Sequence, residues 1–317
     1  MAEVSWSVSR NQILGTCERR YYFQYVAKAR INSRDGLLKE IAYLKKLKSI
    51  AAWQGDIFHQ LVASWVRGCI SNNKISESAL KDTATQLIEK GWFESEQNSL
   101  QKFSSKSTRL FEHEYGISFS DDKLSEITER ELSWISEFFR WQDSNGLVES
   151  LKSSYNVWVE PPIFGLNVTG FKIESTQVIV KVDLATISKE GIFEIWDWKT
   201  GKVPQENPYR LDPGSLQVNV YQLWPNLTLN VPLENIHANL VYVSASPIIN
   251  LTKSIDADIR EYTLSLVRKS IEQVKRLSTE YDRENLSLQD FDYAPNSALC
   301  RFCSFKRLCT RFIEGGY

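Results

Sequence analysis

Residues 192–202 read IFEIWDWKTGK, a short strand-like segment that ends in a Thr-Gly turn. Side chains alternate along a strand, so Asp197 and Lys199 share one face while Trp196 and Trp198 share the other. A carboxylate beside an ammonium near a strand end has two interpretations. It is either a salt bridge before a turn or part of a functional site, and this segment alone does not separate them.

A second apolar segment nearby also contains a single acidic residue. Asp183 lies in 178-VIVKVDLAT-186, an otherwise apolar segment. A buried aspartate is costly unless it is paired or bound to a cation, and an adjacent strand would bring Asp183 close to Asp197. Two carboxylates suit Mg²⁺ or Mn²⁺, and a nearby lysine could lower the pKa of a water or stabilise charge on a phosphate.

Short segments rich in Val, Ile, Phe and Trp predict five strands: Tyr155–Glu160, Leu166–Ile173, Gln177–Thr186, Ile192–Trp198 and His237–Ser244. Helical periodicity predicts helices over 9–28, Trp53–Ile70, 213–224 and Ile255–Tyr281, with several more between 76 and 150. This order predicts an α/β fold. Its core spans about 155–281, and a large helical insertion covers about 70–150.

Composition excludes several classes of protein. The 317 residues are 42% hydrophobic with a net charge of −1, so a polyanion such as DNA would need a local basic patch. No run approaches the roughly 20 apolar residues that span a bilayer, and the N-terminus lacks a signal-peptide pattern. We therefore expect a cytoplasmic protein without membrane contact.

Two helical segments offer further candidates. Gln217 and Tyr221 are spaced i and i+4, so they share a helix face from which both could contact a phosphate or orient a lysine. His59 lies in 53-WQGDIFHQLVASW-65. A lone helical histidine is usually structural, but this one could add an imidazole ligand, which suits Mn²⁺. We interpret His113 and His237 as structural.

Three of the five cysteines are clustered in 296-NSALCRFCSFKRLCTRF-312, where Cys300, Cys303 and Cys309 are spaced C-x2-C-x5-C. Disulfides are rare in the cytosol, so this spacing favours a metal site or redox chemistry. Cys69 is interpreted as a buried apolar residue.

Taken in chain order, these residues resemble the RecB-like branch of the PD-(D/E)XK nuclease superfamily. The branch has a helical histidine, an acidic residue on a strand, a strand motif often read D-Y-K-T-G, and a Q-x3-Y helix. The matching positions here are His59, Asp183, Asp197-Trp198-Lys199-Thr200-Gly201, Gln217 and Tyr221. The resemblance implies a restriction-endonuclease-like core with a small central mixed sheet flanked by helices, in one nuclease domain over 1–317.

The resemblance also implies metal-dependent hydrolysis of DNA phosphodiesters. One or two Mg²⁺ or Mn²⁺ ions would be held by Asp183, Asp197, the backbone carbonyl of Trp198 and His59. Lys199 would position or activate the water, and Gln217 and Tyr221 would orient Lys199 or the DNA strand. Glu160 is a further acidic candidate. We expect a single-strand exonuclease of DNA repair, recombination or CRISPR adaptation, working with a helicase or another partner protein. The alternative is an inactive nuclease-fold module that binds DNA or protein.

Some members of this branch, such as AddB-type nuclease domains and CRISPR-adaptation exonucleases, carry an iron–sulfur cluster. In these, one cysteine precedes the nuclease motifs and three follow as C-x2-C-x5-C. Cys17, within 9-SRNQILGTCERRYYFQYV-26, is the matching first cysteine, and with Cys300, Cys303 and Cys309 it would bind a [4Fe–4S] cluster as a staple between the chain ends. Zinc remains an alternative. The chain departs from the family at Glu18, often proline, and at Val180, usually glycine.

A DNA-binding surface would need cations and aromatic residues together, which suits stacking on single-stranded bases. The alternative is a solvated helix face beside core tyrosines. The candidates are Arg19, Arg20, Lys28, Arg30, Arg34, Lys39, Lys45, Lys46, Lys48, Arg301, Lys306, Arg307 and Arg311, with Tyr21, Tyr22 and Tyr25.

Overall fold

The computed structural model describes residues 4–97, 107–160, 169–203, 213–282 and 286–313, without the side chains of 213–215 and 310–313. Its contacts divide the described residues into two compact units. The first comprises those of Met1–Val8, Gln54–Leu87 and Ser125–Glu272, and the second those of Ser9–Trp53, Ile88–Leu124 and Gln273–Tyr317.

The described residues form eleven α-helices. They are α1 (Val8–Thr16), α2 (Glu18–Tyr21), α3 (Gly36–Leu44), α4 (Ile50–Ile70), α5 (Glu77–Gln97), α6 (Phe111–Glu114), α7 (Lys123–Ser144), α8 (Leu147–Ser153), α9 (Pro213–Leu229), α10 (Ala257–Asp282) and α11 (Lys306–Ile313). The predicted helices over 53–70, 213–224 and 255–281 correspond to α4, α9 and α10. The described residues of 76–150 form α5, α6, α7 and the first part of α8, whereas 98–106 lie outside the described residues.

The described strands are β1 (Asn156–Val159), β2 (Gly170–Ile173), β3 (Thr176–Ile179), β4 (Leu184–Ile187), β5 (Phe193–Lys199), β6 (Ile236–Tyr242) and β7 (Ile249–Lys253). Five of them form a mixed sheet in the order β1-β4-β5-β6-β7, in which only β5 and β6 run parallel, and β2 pairs with β3 separately. Parallel neighbours need a crossover, which α9 supplies. This α/β arrangement is consistent with a restriction-endonuclease-like fold.

The two faces of β5 in the first unit pack against different helices, as its alternation predicts. Trp198 meets Phe138 of α7 edge-on with 5.5 Å between ring centroids. Phe193, on the opposite face, meets Trp224 of α9 at the same distance. Asp197 lies on the Phe193 face and is buried. The Asp197 carboxylate therefore lies on the face of the sheet that α9 covers.

The prediction of one strand over 177–186 is wrong. β3 ends at Ile179 and β4 begins at Leu184, so Asp183 lies at a bend immediately before β4. The Val180 N–H bonds to the Thr169 oxygen at 3.2 Å, and the chain then passes from the β2-β3 hairpin to the five-stranded sheet. The residues of β3 and β4 are both largely apolar. The hydrophobic pattern therefore continues across the change of sheet and does not reveal it. Residues 166–168 of the predicted strand over 166–173 lie outside the described residues.

The prediction of one helix over 9–28 is also wrong, because the helix breaks in the second unit at Cys17. The backbone of Cys17 is extended, with φ −163°, and its sulfur accepts a hydrogen bond from Arg20 N as the N-cap of α2. Glu18 takes the first helical position, which suits both an acidic residue and the proline seen in the family. A π-helical turn over Tyr22–Val26 follows.

The second unit has its own apolar core. Its buried members are Phe23, Ala27, Ile41, Tyr43, Leu44, Leu47, Leu288, Phe305 and Leu308, with Cys303 and Cys309 packed against them. Arg307 of α11 donates to Glu40 at 2.7 Å and also pairs with Glu114. These contacts tie α11 to α3 and α6 within the unit.

Among the described residues, no helix has the length and apolar content needed to cross a bilayer. Strand β7 was not predicted from the sequence, because its polar and half-exposed residues give little hydrophobic signal.

Candidate active site and cysteine cluster

The first unit brings the helical histidine to the acidic residue that precedes β4. His59 Nδ1 lies 2.8 Å from Asp183 Oδ1. Burial lowers the pKa of His59, but the charge and hydrogen bond of Asp183 more than offset it, so the pKa is raised. The two side chains therefore form an ion pair when His59 is protonated.

Asp183 is also attached to the central strand. Its Oδ2 accepts a hydrogen bond from the backbone N–H of Trp198 at 2.8 Å. This contact follows from the antiparallel register of β4 and β5, where Leu184 pairs with Trp196. Both oxygens of Asp183 thus have partners, one on a helix and one on a strand.

Asp197 is the most buried acid of the site, with 4% of its surface exposed. Burial and, to a smaller extent, the Asp183 charge raise its pKa to about 6, while Lys199 and His59 oppose the rise. Lys199 makes an ion pair with Asp197 from the same face of β5. The interpretation of this pair as an isolated surface salt bridge does not fit, because Asp197 is buried.

A hydrogen-bonded chain continues from Lys199 to α9. Lys199 Nζ donates to Gln217 Oε1 at 2.9 Å, and Gln217 Nε2 donates to the Tyr221 hydroxyl at 2.6 Å. Burial raises the pKa of Tyr221 well above its usual range, with Asp197 and Asp183 adding to the effect. Tyr221 is therefore a neutral phenol that keeps its own proton.

The side-chain candidates for the active site thus lie in one connected group, which we call the active-site network: His59, Asp183, Asp197, Lys199, Gln217 and Tyr221. Glu160 adjoins it, since its N–H donates to the Asp183 backbone oxygen at 3.2 Å. Burial raises the pKa of Glu160, with Asp183 adding to the rise and Lys181 opposing it.

Sequence reasoning missed Gly55, one helical turn before His59. A Cβ at this position would stand 3.0 Å from Thr200 Oγ1, so the glycine lets α4 approach the turn that follows Lys199. The signal was present as G-x3-H in 53-WQGDIFHQLVASW-65. A glycine inside a helix is unfavourable relative to alanine, which itself indicates a packing role.

We expect Gly55→Val to lower any cleavage activity of the site at least tenfold, because the added methyl groups push α4 and His59 away from β5. The measurement is the single-turnover rate on labelled DNA. Gly15→Ala is the control, since nothing lies within 4 Å of its new Cβ, and it should leave the rate unchanged while stabilising the fold by about 0.5 kcal/mol. Full activity of Gly55→Val would contradict the packing role.

The donors of the network suit a hard divalent cation. Two carboxylates, an imidazole and the Trp198 carbonyl are the types of ligand that Mg²⁺ and Mn²⁺ accept. A cation would also compensate the buried charge of Asp197, whose pKa burial raises. Among the described residues, however, no three His, Cys, Asp or Glu side chains form a group arranged to hold a metal. Here His59 and Lys199 each contact one of the carboxylates.

Four cysteines approach one another in the second unit, and we call them the cysteine cluster: Cys17, Cys300, Cys303 and Cys309. All are free thiols. Burial raises the pKa of Cys309 to about 12, and Cys303, Cys17 and Cys300 are each close enough to contribute. Thiolates are the usual ligands of iron–sulfur clusters and of structural zinc. The placement of the four cysteines does not amount to a metal-holding group among the described side chains.

Several residues predicted to contact DNA have structural partners instead. Arg19 is buried and donates to the Phe291 oxygen at 3.2 Å, and Lys28 pairs with Asp282 at 2.7 Å. Arg307 is engaged with Glu40 and Glu114, as described above. Arg30, Arg34 and Lys46 are exposed, and the side chain of Arg311 lies outside the described residues.

The connected active-site network gives a basis for comparison with known proteins. No curated protein matches the chain. A family model described as the PD-(D/E)XK nuclease superfamily matches residues 5–310, nearly the whole sequence. The chain therefore belongs to the PD-(D/E)XK nuclease superfamily.

Proposed function

We propose that this protein is a divalent-metal-dependent DNA nuclease of the RecB-like branch that acts on single strands or strand ends. Superfamily members are generally nucleases, typically with Mg²⁺ or Mn²⁺, and the nuclease fold implies a DNA substrate. The observation that carries the proposal is the chain of contacts from His59 through Asp183 to β5, and from Lys199 to Tyr221.

The proposed roles follow from this geometry. Asp183, Asp197, the Trp198 carbonyl and His59 would hold the cation. A bound divalent ion supplies polarisation of the phosphate and a water of lowered pKa. Lys199 would orient the attacking water and stabilise negative charge on the phosphate. Its ammonium is fixed for this by Asp197 on one side and by Gln217 on the other.

Tyr221 has a separate role in the proposal. Its hydroxyl accepts from Gln217, and its pKa lies well above neutral. A phenol that accepts one hydrogen bond still has its own proton to donate. We assign this proton to a phosphate oxygen of the DNA strand.

The finer proposal is a cytoplasmic single-strand exonuclease of DNA repair, recombination or CRISPR adaptation, with all 317 residues forming one nuclease domain. A helicase or another partner protein would deliver the strand. Exposed cations of the second unit, such as Arg30 and Arg34, are available for this contact.

The cysteine cluster is proposed to bind [4Fe–4S] through Cys17, Cys300, Cys303 and Cys309. Four thiolates are the usual ligands of such clusters. The electrostatic proximity of all four sulfurs supports the assignment. Zinc would use the same donors, and the colour of the protein distinguishes the two metals.

The test is degradation of 5′- and 3′-labelled single- and double-stranded DNA with Mg²⁺, Mn²⁺ or EDTA. We expect divalent-dependent cleavage that favours single strands. Asp183→Asn and Asp197→Asn should each slow it about a thousandfold, because several kcal/mol of transition-state stabilisation are lost. Asp56→Asn is the control, since it removes an exposed carboxylate from the same helix as His59.

Other outcomes are equally informative. If the wild-type protein and both aspartate variants bind DNA tightly but are all inert, the protein is a binding module and not a nuclease. Equal cleavage of double strands would contradict the single-strand preference alone. Accumulation of internal fragments would replace the exonuclease assignment with an endonuclease.

A further inference from the structure

The turn that follows β5 is held to the end of β6 by a side chain that the active-site network does not include. The antiparallel register of β4 with β5 ends at the pair Leu184–Trp196. Beyond it, the parallel register of β5 with β6 continues to the pair Lys199–Tyr242. Among the strands that the structure describes, the last residue of β5 is therefore paired only on its β6 side.

The segment after β6 extends this support past the end of both strands. The Val243 N–H donates to the Lys199 carbonyl oxygen at 3.0 Å. The Ser244 hydroxyl then donates to the Gly201 carbonyl oxygen at 2.5 Å. Gly201 lies beyond the regular pairing of β5, where the ladder of main-chain hydrogen bonds no longer offers a donor to its carbonyl. The Ser244 hydroxyl supplies that donor instead.

The same turn also lies against α4. A Cβ on Gly55 would stand 3.0 Å from Thr200 Oγ1, so the helix approaches the turn closely at this point. The turn thus has two separate attachments, one to α4 at Thr200 and one to the segment after β6 at Gly201. Both attachments are within the first unit, and both involve residues that directly follow Lys199 in the chain.

The Ser244 contact differs from the local contacts that serines on helices make. Ser64 and Ser144 each donate to the carbonyl oxygen four residues earlier in their own helix, and such bonds need no tertiary structure. Ser244 is exposed, yet it bonds to an oxygen 43 positions away in the sequence. At an exposed position water competes for the hydroxyl, so the bond contributes little net stability. Its main effect is to restrict where the turn can lie.

We propose that Ser244 is a positioning residue, which holds the turn after β5 and thereby fixes the main chain from which the Lys199 side chain extends. The inference rests on the proposed function, because it requires Lys199 to act on the attacking water and the phosphate. Asp197 and Gln217 hold the ammonium end of this side chain. A shift of the turn would move the other end, and a displacement of about 1 Å can cost roughly a hundredfold in rate.

The first test compares kcat and KM of the full-length protein on labelled single-stranded DNA with Mn²⁺. Ser244→Ala should lower kcat about tenfold and leave KM unchanged, because the hydroxyl contacts the turn and not the DNA. Ser244→Thr keeps a hydroxyl and should restore most of the rate. Ser244→Val, which has the shape of threonine without the hydroxyl, should not. Ser246→Ala is the matched control, because the Ser246 hydroxyl donates to Glu137 at 3.0 Å, and it should leave both constants unchanged.

A second measurement observes the hydrogen bond itself and does not depend on cleavage. Gly201–Lys202 is the only Gly-Lys pair in the sequence. Protein made with glycine that carries ¹³C at its carbonyl carbon and lysine that carries ¹⁵N at its main-chain nitrogen therefore gives one carbonyl–amide correlation, from the Gly201 carbonyl. We expect Ser244→Ala and Ser244→Val to shift this ¹³C signal upfield, as happens when a carbonyl loses a hydrogen bond. Ser244→Thr and Ser246→Ala should leave it in place.

The two measurements separate this inference from the proposed function. If the wild type cleaves DNA and Ser244→Ala has the same kcat, or only a raised KM, Ser244 does not position Lys199 and the inference is wrong. An unmoved Gly201 signal in Ser244→Ala would also overturn it, because the hydrogen bond would then be absent in solution. If the wild type does not cleave DNA although the Gly201 signal moves in Ser244→Ala, the contact exists but the proposed function fails, and this inference fails with it.

Discussion

Lys199→Met is expected to slow DNA cleavage about a thousandfold without weakening Mn²⁺ binding. Methionine retains much of the apolar stem but removes the ammonium. Lys199 contacts Asp197 and donates to Gln217 at 2.9 Å, so it is held in one position beside the carboxylates. A fixed positive group at a hydrolytic centre typically contributes 10² to 10⁴ in rate.

The measurement is the single-turnover rate at saturating DNA, together with the DNA dissociation constant. Lys202→Met is the matched control, because it removes an exposed ammonium three residues later. This control should weaken DNA binding slightly and leave the cleavage rate unchanged. Equal losses in the two variants would show that Lys199 only contributes to the general charge of the DNA-binding surface.

Gln217→Leu tests how much of the contribution of Lys199 to the cleavage rate depends on its hydrogen bond to Gln217. Without the amide, Lys199 keeps its partner Asp197 but loses the contact that fixes its other side. We therefore expect a smaller loss than for Lys199→Met. A larger loss would indicate that Gln217 contacts the DNA itself.

Local patterns in the sequence predicted the parts of the site that depend on local geometry. Alternation along β5 placed Asp197 and Lys199 on one face, and the structure confirms both that arrangement and the ion pair. The i, i+4 spacing of Gln217 and Tyr221 likewise gives a direct 2.6 Å hydrogen bond. Strand alternation and helical periodicity are backbone properties, so they can be read from sequence alone.

The position of Asp183 at a bend before β4 could not be predicted from such local patterns. The apolar residues Val178, Val180 and Val182 are all buried, so the sequence looks like one continuous strand. The chain instead changes sheets between β3 and β4, a change that hydrophobicity does not record. The expected proximity of Asp183 to Asp197 still holds, because the antiparallel register of β4 and β5 carries it.

The burial of Glu131 was not predicted, because it depends on the packing of α7 against a helix that is distant in sequence. A charged residue in the stripe Ile127-x3-Glu131-x2-Trp134 is visible as an anomaly. Which helix it faces is a tertiary property, decided by the packing of α7 on α4. The helical segment over 76–150 therefore packs against α4, the helix that carries His59.

Cys17→Ser is expected to remove broad visible absorbance at roughly 400 nm and to lower the melting temperature by about 10 °C or more. Where a metal holds distant segments together, its binding free energy contributes to folding. Cys17 caps the start of α2, and the other three cysteines of the cluster lie in or close to α11, more than 280 positions later. Losing one ligand would release this connection between the chain ends.

The second unit also has contacts that do not involve sulfur. Arg19 N donates to the Asp292 oxygen at 2.9 Å, and Arg307 pairs with Glu40. These contacts should preserve part of the fold, so we expect a destabilised protein with its helical circular dichroism largely retained. Global unfolding of Cys17→Ser would instead show that the metal is required for the fold as a whole.

Cys69→Ala is the matched control, since Cys69 is buried in α4 and does not belong to the cysteine cluster. It should retain the visible absorbance and lose about 1 kcal/mol of stability, as is usual for a small buried truncation. A colourless wild type that loses stability with Cys17→Ser and contains one zinc per chain would replace iron–sulfur with zinc. If Cys17→Ser changes neither metal content nor melting temperature, Cys17 is not a ligand, and its sulfur serves only as the N-cap of α2.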